Sequence, residues 1–250
     1  MRLPAFALLA SVVGFGAEVI PFKWSGDLNV PDPTSVTFDE SGNAYVASTT
    51  RRKAGDLDIR EHRLWIPDDV GLTSPAEKLA FFQRELAPGK MKIGRGSLKD
   101  HNKDGSVDWK DLTFHQERIY KLADTDRDGV ADKITVFAEG FNSPVSGIAA
   151  GVLYFDGWVY LTAIPDVWRL KDTDGDGVAD VKEVIATGFG GHIAYAGHDM
   201  HGLRLGPDGR INNHLGFEEL FSIVLKAPRL DGVLGEEAVP AGAIATLNAI

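Results

Sequence analysis

The sequence predicts an all-β protein: a partial β-propeller carrying a helical insertion and acidic, EF-hand-like loops. Three observations point there. The segment RIYKLADTDRDGVADKITVFAEGF (Arg118 to Phe141) lies over DVWRLKDTDGDGVADVKEVIATGF (Asp166 to Phe189) with Asp124 on Asp172, an offset of 48 residues. Fixed repeats of this length mark arrays and propellers. Hairpins of a second kind recur between and beside the two copies, so four-stranded sheets repeat along the chain. Within the repeated strands, helical patterning is confined to one interruption.

Composition sets the bounds. A chain of 250 residues with 44% hydrophobic content can bury a real core. The net charge is −10, but 13 of the 36 acids fall in three short Asp-rich runs. That pattern suits cation ligands and argues against nucleic acid as a partner. With no cysteine, disulfides and a C-x-x-C-H haem attachment motif are excluded within these residues.

In chain order, MRLPAFALLASVVGFGAE has one early Arg2, an apolar run and small residues before the first acid. It reads as a signal peptide over residues 1–17, so the protein is expected to be secreted or periplasmic. The run is too short to span a membrane, and no later segment comes closer. Residues 18–211 form the predicted propeller domain. Its first hairpin is SVTFDESGNAYVAS (Ser35 to Ser48).

Residues 51–117 interrupt that first sheet. Within them SPAEKLAFFQREL predicts a helix over 75–86, with Ser74 as N-cap, Glu77 closing a capping box and Pro88-Gly89 as the stop. Leu79, Phe82 and Leu86 share a face and are expected to pack on the propeller. The basic clusters Arg51-Arg52-Lys53 and Arg60 to Arg63 read as solvated surface.

Three 12-residue runs then match a calcium loop, which supplies oxygens from positions 1, 3, 5, 7 (a carbonyl), 9 and 12, with glycine at 6. In the first, the ligands are Asp100, Asn102, Asp104, the Ser106 carbonyl, Asp108 and Asp111. In the second they are Asp124, Asp126, Asp128, the Val130 carbonyl and Asp132, with Thr135 at position 12 requiring an outside ligand or water. In the third they are Asp172, Asp174, Asp176, the Val178 carbonyl, Asp180 and a bidentate Glu183. A turn needs only one or two such residues, and carboxylates crowded like this repel one another unless a cation neutralises them. Strands flank the second and third loops, which favours fixed structural ions over a calcium switch.

Between the second and third loops, GVLYFDGWVYLTAIP folds about Asp156-Gly157 as a tight hairpin. After the third loop, GGHIAYAGHDMHGLRLGPDG holds three of the seven histidines. His198 and His201 stand at a strand entrance, where a histidine can serve as a general base near neutral pH. Either one can equally hydrogen-bond a neighbouring loop. A zinc pair would need further ligands that no nearby cluster supplies.

The stretches RRKAGDLDIREHR, DWKDLTFHQERIYKLADTDRDGVADK, PDVWRLKDTDGDGVAD and GHDMHGLRLGPDGRI resemble the N-terminal β-propeller of large secreted bacterial proteins of the membrane-bound dehydrogenase and haem-binding multidomain type. The resemblance covers about Val19 to Ile211. More distantly, HDMHGLRLGPDG is similar to soluble quinoprotein glucose and sorbosone dehydrogenases, in which a histidine eight residues before G-P-D accepts the sugar hydroxyl proton. Here that position is His198. The resemblance implies a six-bladed ring, of which this chain holds about three blades. It also implies calcium and pyrroloquinoline quinone (PQQ) as cofactors, a sugar or alcohol substrate, and electron transfer to a haem c domain or cytochrome. A chain with so few blades is expected to be inactive alone, as a fragment of such an oxidoreductase.

Beyond Ile211 the family's aromatic and glycine-rich strand is not found. Residues 212–250 are expected to form an atypical tail outside any blade, with Leu215, Leu220 and Leu225 at helix-like spacing. Two alternatives to the dehydrogenase stay open: a non-catalytic, calcium-stabilised propeller binding carbohydrate or protein, and a lactone-type hydrolase using a central calcium.

Overall fold

The computed structural model describes residues 21–52, 54–91, 98–193, 199–215 and 219–223. Residues 1–17, the expected signal peptide, lie outside the described residues. Three antiparallel sheets make up the fold of the described residues. The first runs β1 (Pro33–Phe38), β2 (Ala44–Ser48), β3 (Glu117–Ala123) and β4 (Lys133–Phe141). The second runs β5 (Gly151–Phe155), β6 (Trp158–Ala163), β7 (Asp166–Lys171) and β8 (Val181–Thr187). The third holds β9 (Met200–Leu205), β10 (Ile211–Leu215) and β11 (Glu219–Ile223). Each sheet is a meander of sequence neighbours, and none closes into a barrel.

Local chemistry explains the tightest turn. Phe155 pairs with Trp158, leaving Asp156 and Gly157 as a two-residue loop with φ of 49° and 77°. Positive φ at both central residues is the primed turn that matches strand twist.

The first strands of the three sheets lie side by side, β1 against β5 and β5 against β9. Val152 N–H donates to Ser35 Oγ at 3.3 Å and Tyr154 N–H to Thr37 Oγ1 at 3.1 Å. Thr162 Oγ1 donates to the Met200 carbonyl at 2.7 Å. Close approach at β5 requires glycine: a Cβ on Gly151 would stand 2.7 Å from Thr162 Oγ1.

Alternating apolar residues fill the gaps between sheets. Tyr45, Ile119, Phe137 and Phe141 of the first sheet meet Val152, Val159, Leu161 and Leu170 of the second. Burial of each large side chain contributes about 1.5–3 kcal/mol. Tyr160 with Leu203 and Ile211, and Val167 with Met200, continue the core into the third sheet.

The insertion joins β2 to β3 and contains a one-turn helix α1 (Ile66–Asp69) and the main helix α2 (Pro75–Glu85). Ser74 Oγ accepts from Glu77 N–H at 3.2 Å, as the N-cap expectation requires. The expected capping box does not close. The Glu77 carboxylate instead accepts from Thr73 N–H at 2.7 Å and Thr73 Oγ1 at 2.8 Å, two donors one residue upstream. Phe82 and Leu86 do not simply lie on the sheets either: with Phe81, Leu57, Leu98 and Leu112 they build a separate core, joined by Val145 and Ile193.

Arg51 corrects the surface reading of the basic cluster. It is fully buried, and its guanidinium donates to the carbonyls of Leu112, His115, Gly55, Ser143 and Ser146 at 2.6–3.2 Å. Glu117, equally buried, accepts from Thr49 Oγ1, Thr50 N–H and Arg51 N–H through one oxygen and from Ala149 N–H through the other. These two residues bound the insertion and pin both of its ends to the sheets.

The expected tail is corrected too. β10 pairs Ile211 with Leu205 and His214 with His201, and β11 pairs Leu220 with His214. Leu215 and Leu220 therefore lie on strands, because β9 offers a free edge that a helix could not satisfy. Leu225 lies outside the described residues. Among the described residues, no helix is long and apolar enough to cross a membrane.

Candidate metal centres and the histidine stretch

All three Asp-rich loops fold alike. The fourth position has positive φ in each (Lys103 60°, Arg127 63°, Gly175 84°), and so does the sixth (Gly105 88°, Gly129 97°, Gly177 94°). Holding Lys103 and Arg127 there costs on the order of 1 kcal/mol each. The compensation is a shared hydrogen-bond net that turns the carboxylates inward.

Position 1 accepts from the N–H of position 6 in every loop: Asp100 from Gly105 at 3.0 Å, Asp124 from Gly129 at 2.9 Å and Asp172 from Gly177 at 2.9 Å. Position 3 accepts from position 5, with Asn102, Asp126 and Asp174 taking the N–H of Asp104, Asp128 and Asp176 at 3.0–3.2 Å. Position 5 accepts from position 7, so the N–H groups of Ser106, Val130 and Val178 are held by Asp104, Asp128 and Asp176 at 2.7–2.9 Å. One oxygen from each of Asp124, Asp126 and Asp128 lies within 4.8 Å of the others, and the same holds for Asp172, Asp174 and Asp176. Two all-carboxylate triads result. Such hard oxygen donors suit calcium rather than a soft metal.

The later positions differ from the expectation. Asp132 and Asp180, at position 9, turn back to the loop start and accept from the N–H and hydroxyl of Thr125 and Thr173 at 2.6–3.0 Å. Those bonds hold both carboxyls below the usual carboxylate range. Glu183, at position 12, is not brought to its triad. It stands opposite Arg169 in the β7–β8 register and accepts from Arg169 Nε at 3.1 Å. The reason is the exit element: a strand advances about 3.3 Å per residue and carries position 12 roughly 10 Å beyond position 9. Thr135 likewise lies on β4, opposite Lys121.

The first loop exits into a 3-10 turn, Trp109–Thr113, capped reciprocally by Asp108 and Asp111. Asp111 is fully buried and accepts from the N–H of His101, Asn102 and Asp108 at 2.8–3.1 Å. Asp108 accepts from Lys110 N–H at 2.8 Å and Ser106 Oγ at 3.2 Å. The Asn102 amide donates to Asp104 at 3.1 Å, so this loop draws on one carboxylate fewer at positions 1, 3 and 5.

Two loops also bind the segment that precedes their own sheet. Ala131 N–H donates to the Trp24 carbonyl and Ala179 N–H to the Phe137 carbonyl, each at 2.8 Å. Lys121 Nζ of the first sheet reaches within 3.8 Å of Asp172 Oδ2.

His198 lies outside the described residues. His201 is half-buried on β9 opposite His214. Another histidine pair, His101 Nδ1 and His115 Nε2 at 3.1 Å, carries no spacing signal because its members are 14 residues apart on either side of the 3-10 turn.

No curated protein and no solved structure matches this chain. One family does match, over residues 24–227, a span that takes in the N-terminal segment, the insertion and all three sheets. On that coverage the chain belongs to the family described as Domain of unknown function (DUF7133).

Proposed function

We propose that the chain is an exported, calcium-stabilised partial β-propeller, the substrate-facing domain of a sugar- or alcohol-oxidising system that passes electrons to a haem domain or cytochrome. The observation that carries the metal part is the threefold loop conformation with its two converging carboxylate triads. Asp124, Asp126 and Asp128, and Asp172, Asp174 and Asp176, would hold the ions. The first loop would hold a third ion through Asp100, Asn102 and Asp104. Calcium there would supply charge neutralisation and stiffen joints between sheets. The propeller reading is supported by meander sheets whose first strands lie side by side.

The oxidoreductase part is supported by the motif resemblance. PQQ fits the described residues poorly. It carries three carboxylates, whereas the buried cation Lys78 already stands among the acids Asp56, Asp199 and Asp69, with Arg51 as a second cation. Both terminal nitrogens of Arg51 are already spent on carbonyls. That charge balance favours a second reading, a non-catalytic propeller that binds a neutral carbohydrate.

Thermal unfolding with calcium and then with excess chelator tests the shared core of both readings. The midpoint should fall on chelation, and an unchanged midpoint would exclude structural calcium. Dye reduction with aldoses by the full-length parent, with and without His198→Ala, separates the enzyme from the binding module.

A further inference from the structure

A second set of ionisable groups lies buried where the insertion meets the sheets. Four of its members are engaged mainly by backbone, although Arg51 Nε has no partner among the described residues. Arg51 donates to five carbonyls, Glu117 accepts four bonds, Asp69 accepts from Ile193 N–H at 2.7 Å, and Asp199 accepts from Ile148 N–H at 2.7 Å. Asp56 and Lys78 differ. Asp56 is 6% exposed, and its Oδ2 has no hydrogen-bond partner among the described residues. Lys78 is 3% exposed, and among the described residues its ammonium makes one long bond, 3.3 Å to the Gly190 carbonyl, while lying 5.8 Å from the Phe82 ring centre.

Both side chains line one cleft, with Phe82, Pro144, Ser146 and Ile193 as its other walls. Leaving a buried charge short of partners costs several kcal/mol, which a purely structural contact would avoid. The unspent capacity here is mixed: acceptor capacity at Asp56 and donor capacity at Lys78. A cation would meet the Lys78 ammonium, and an anion would meet Asp56 and Asp199. A hydroxyl both donates and accepts, so it serves the two residues together and serves Asp56 in either protonation state.

We propose that Asp56 and Lys78 form a subsite for an alcohol hydroxyl, the end group of a neutral polyol or sugar. The cleft's empty space is about 170 Å³, part of it open to solvent, and none of it is wide enough for a water, so a hydroxyl can enter only with a side-chain shift. Lys78, on a flexible four-carbon stem with one weak bond, supplies that shift. The polyol as carrier rests on the functional reading above, whereas the hydroxyl follows from Asp56 and Lys78 themselves.

Saturation-transfer NMR on the calcium-loaded full chain, with glycerol and with glucose as probes, tests the subsite. Transfer to hydroxymethyl protons is expected, with affinity in the millimolar range. Asp56→Asn and Lys78→Met should each weaken it about tenfold, the effect of one lost charged hydrogen bond. Circular dichroism checks that the variants fold. Ser146→Val, which fills the cleft without removing a charge, should weaken binding as well and stands in if a charge variant unfolds. Absence of transfer from either probe at about 100 mM, or wild-type affinity in the folded variants, would overturn the subsite. Insensitivity to chelator would instead strike the calcium reading and leave this subsite standing.

Discussion

Ala131 and Ala179, 48 residues apart, hold the same place in two acidic loops, and each donates its N–H at 2.8 Å to a backbone carbonyl that precedes its own sheet in the chain. The acceptors are Trp24 and Phe137. Each loop is thus a latch as well as a candidate ion cage: Gly177 lies against Thr135 of the first sheet, and Gly26 against Val130. Filling the cage should tighten the joint.

Calcium titration of the third loop should separate ligands from bystanders. Asp176→Ala removes one member of the Asp172–Asp174–Asp176 triad and should abolish binding there by calorimetry. Glu183→Ala should leave the affinity within about twofold and cost under about 1 kcal/mol, since it loses only an exposed pair with Arg169. Equal loss in both variants would return Glu183 to the ligand set. At calcium a hundredfold above its dissociation constant, each filled site adds about 2.7 kcal/mol.

Arg51→Met should destabilise by about 3–5 kcal/mol in urea unfolding, because it strands several buried carbonyls and leaves Glu117 without its neighbouring cation. Arg52→Met, at an exposed neighbour, should change stability by less than about 0.5 kcal/mol.

Burial, with Asp199 and Glu117 as like charges, raises the Asp56 pKa well above the usual carboxylate range, and Lys78 and Arg51 offset this only in part. Its folded pKa exceeds its unfolded one, so its contribution is fully present below about pH 4 and is lost as pH rises through the folded value. Asp56→Asn should flatten that decline. Unfolding free energies measured from pH 4 upward check it, and parallel curves for variant and wild type would contradict the assignment.

Deleting Gly216–Ile250 removes β11 and leaves β10 as a bare sheet edge. The shortened chain should unfold less cooperatively and aggregate more readily than the parent. A sharp, unshifted transition would show that the third sheet stands without its last strand.

Much of this protein is written locally. The Asp156-Gly157 hairpin, the Ser74 cap and the glycine at position 6 of each loop all depend on groups within a few residues of one another, and the 48-residue repeat writes the same local pattern twice. Periodicity and turn chemistry report such contacts directly. Tertiary structure alone decided the rest. Arg51 looked solvated because its acceptors at Ser143 and Ser146 lie more than 90 residues away. Glu183 matched a ligand position by count, but its direction is set by β8 and its partner by the neighbouring strand. β10 and β11 needed the edge of β9, and Asp56 and Lys78 share a cleft only because the insertion folds back onto the sheets. A residue's own spacing records what its backbone can do; burial and partners depend on segments that spacing does not connect.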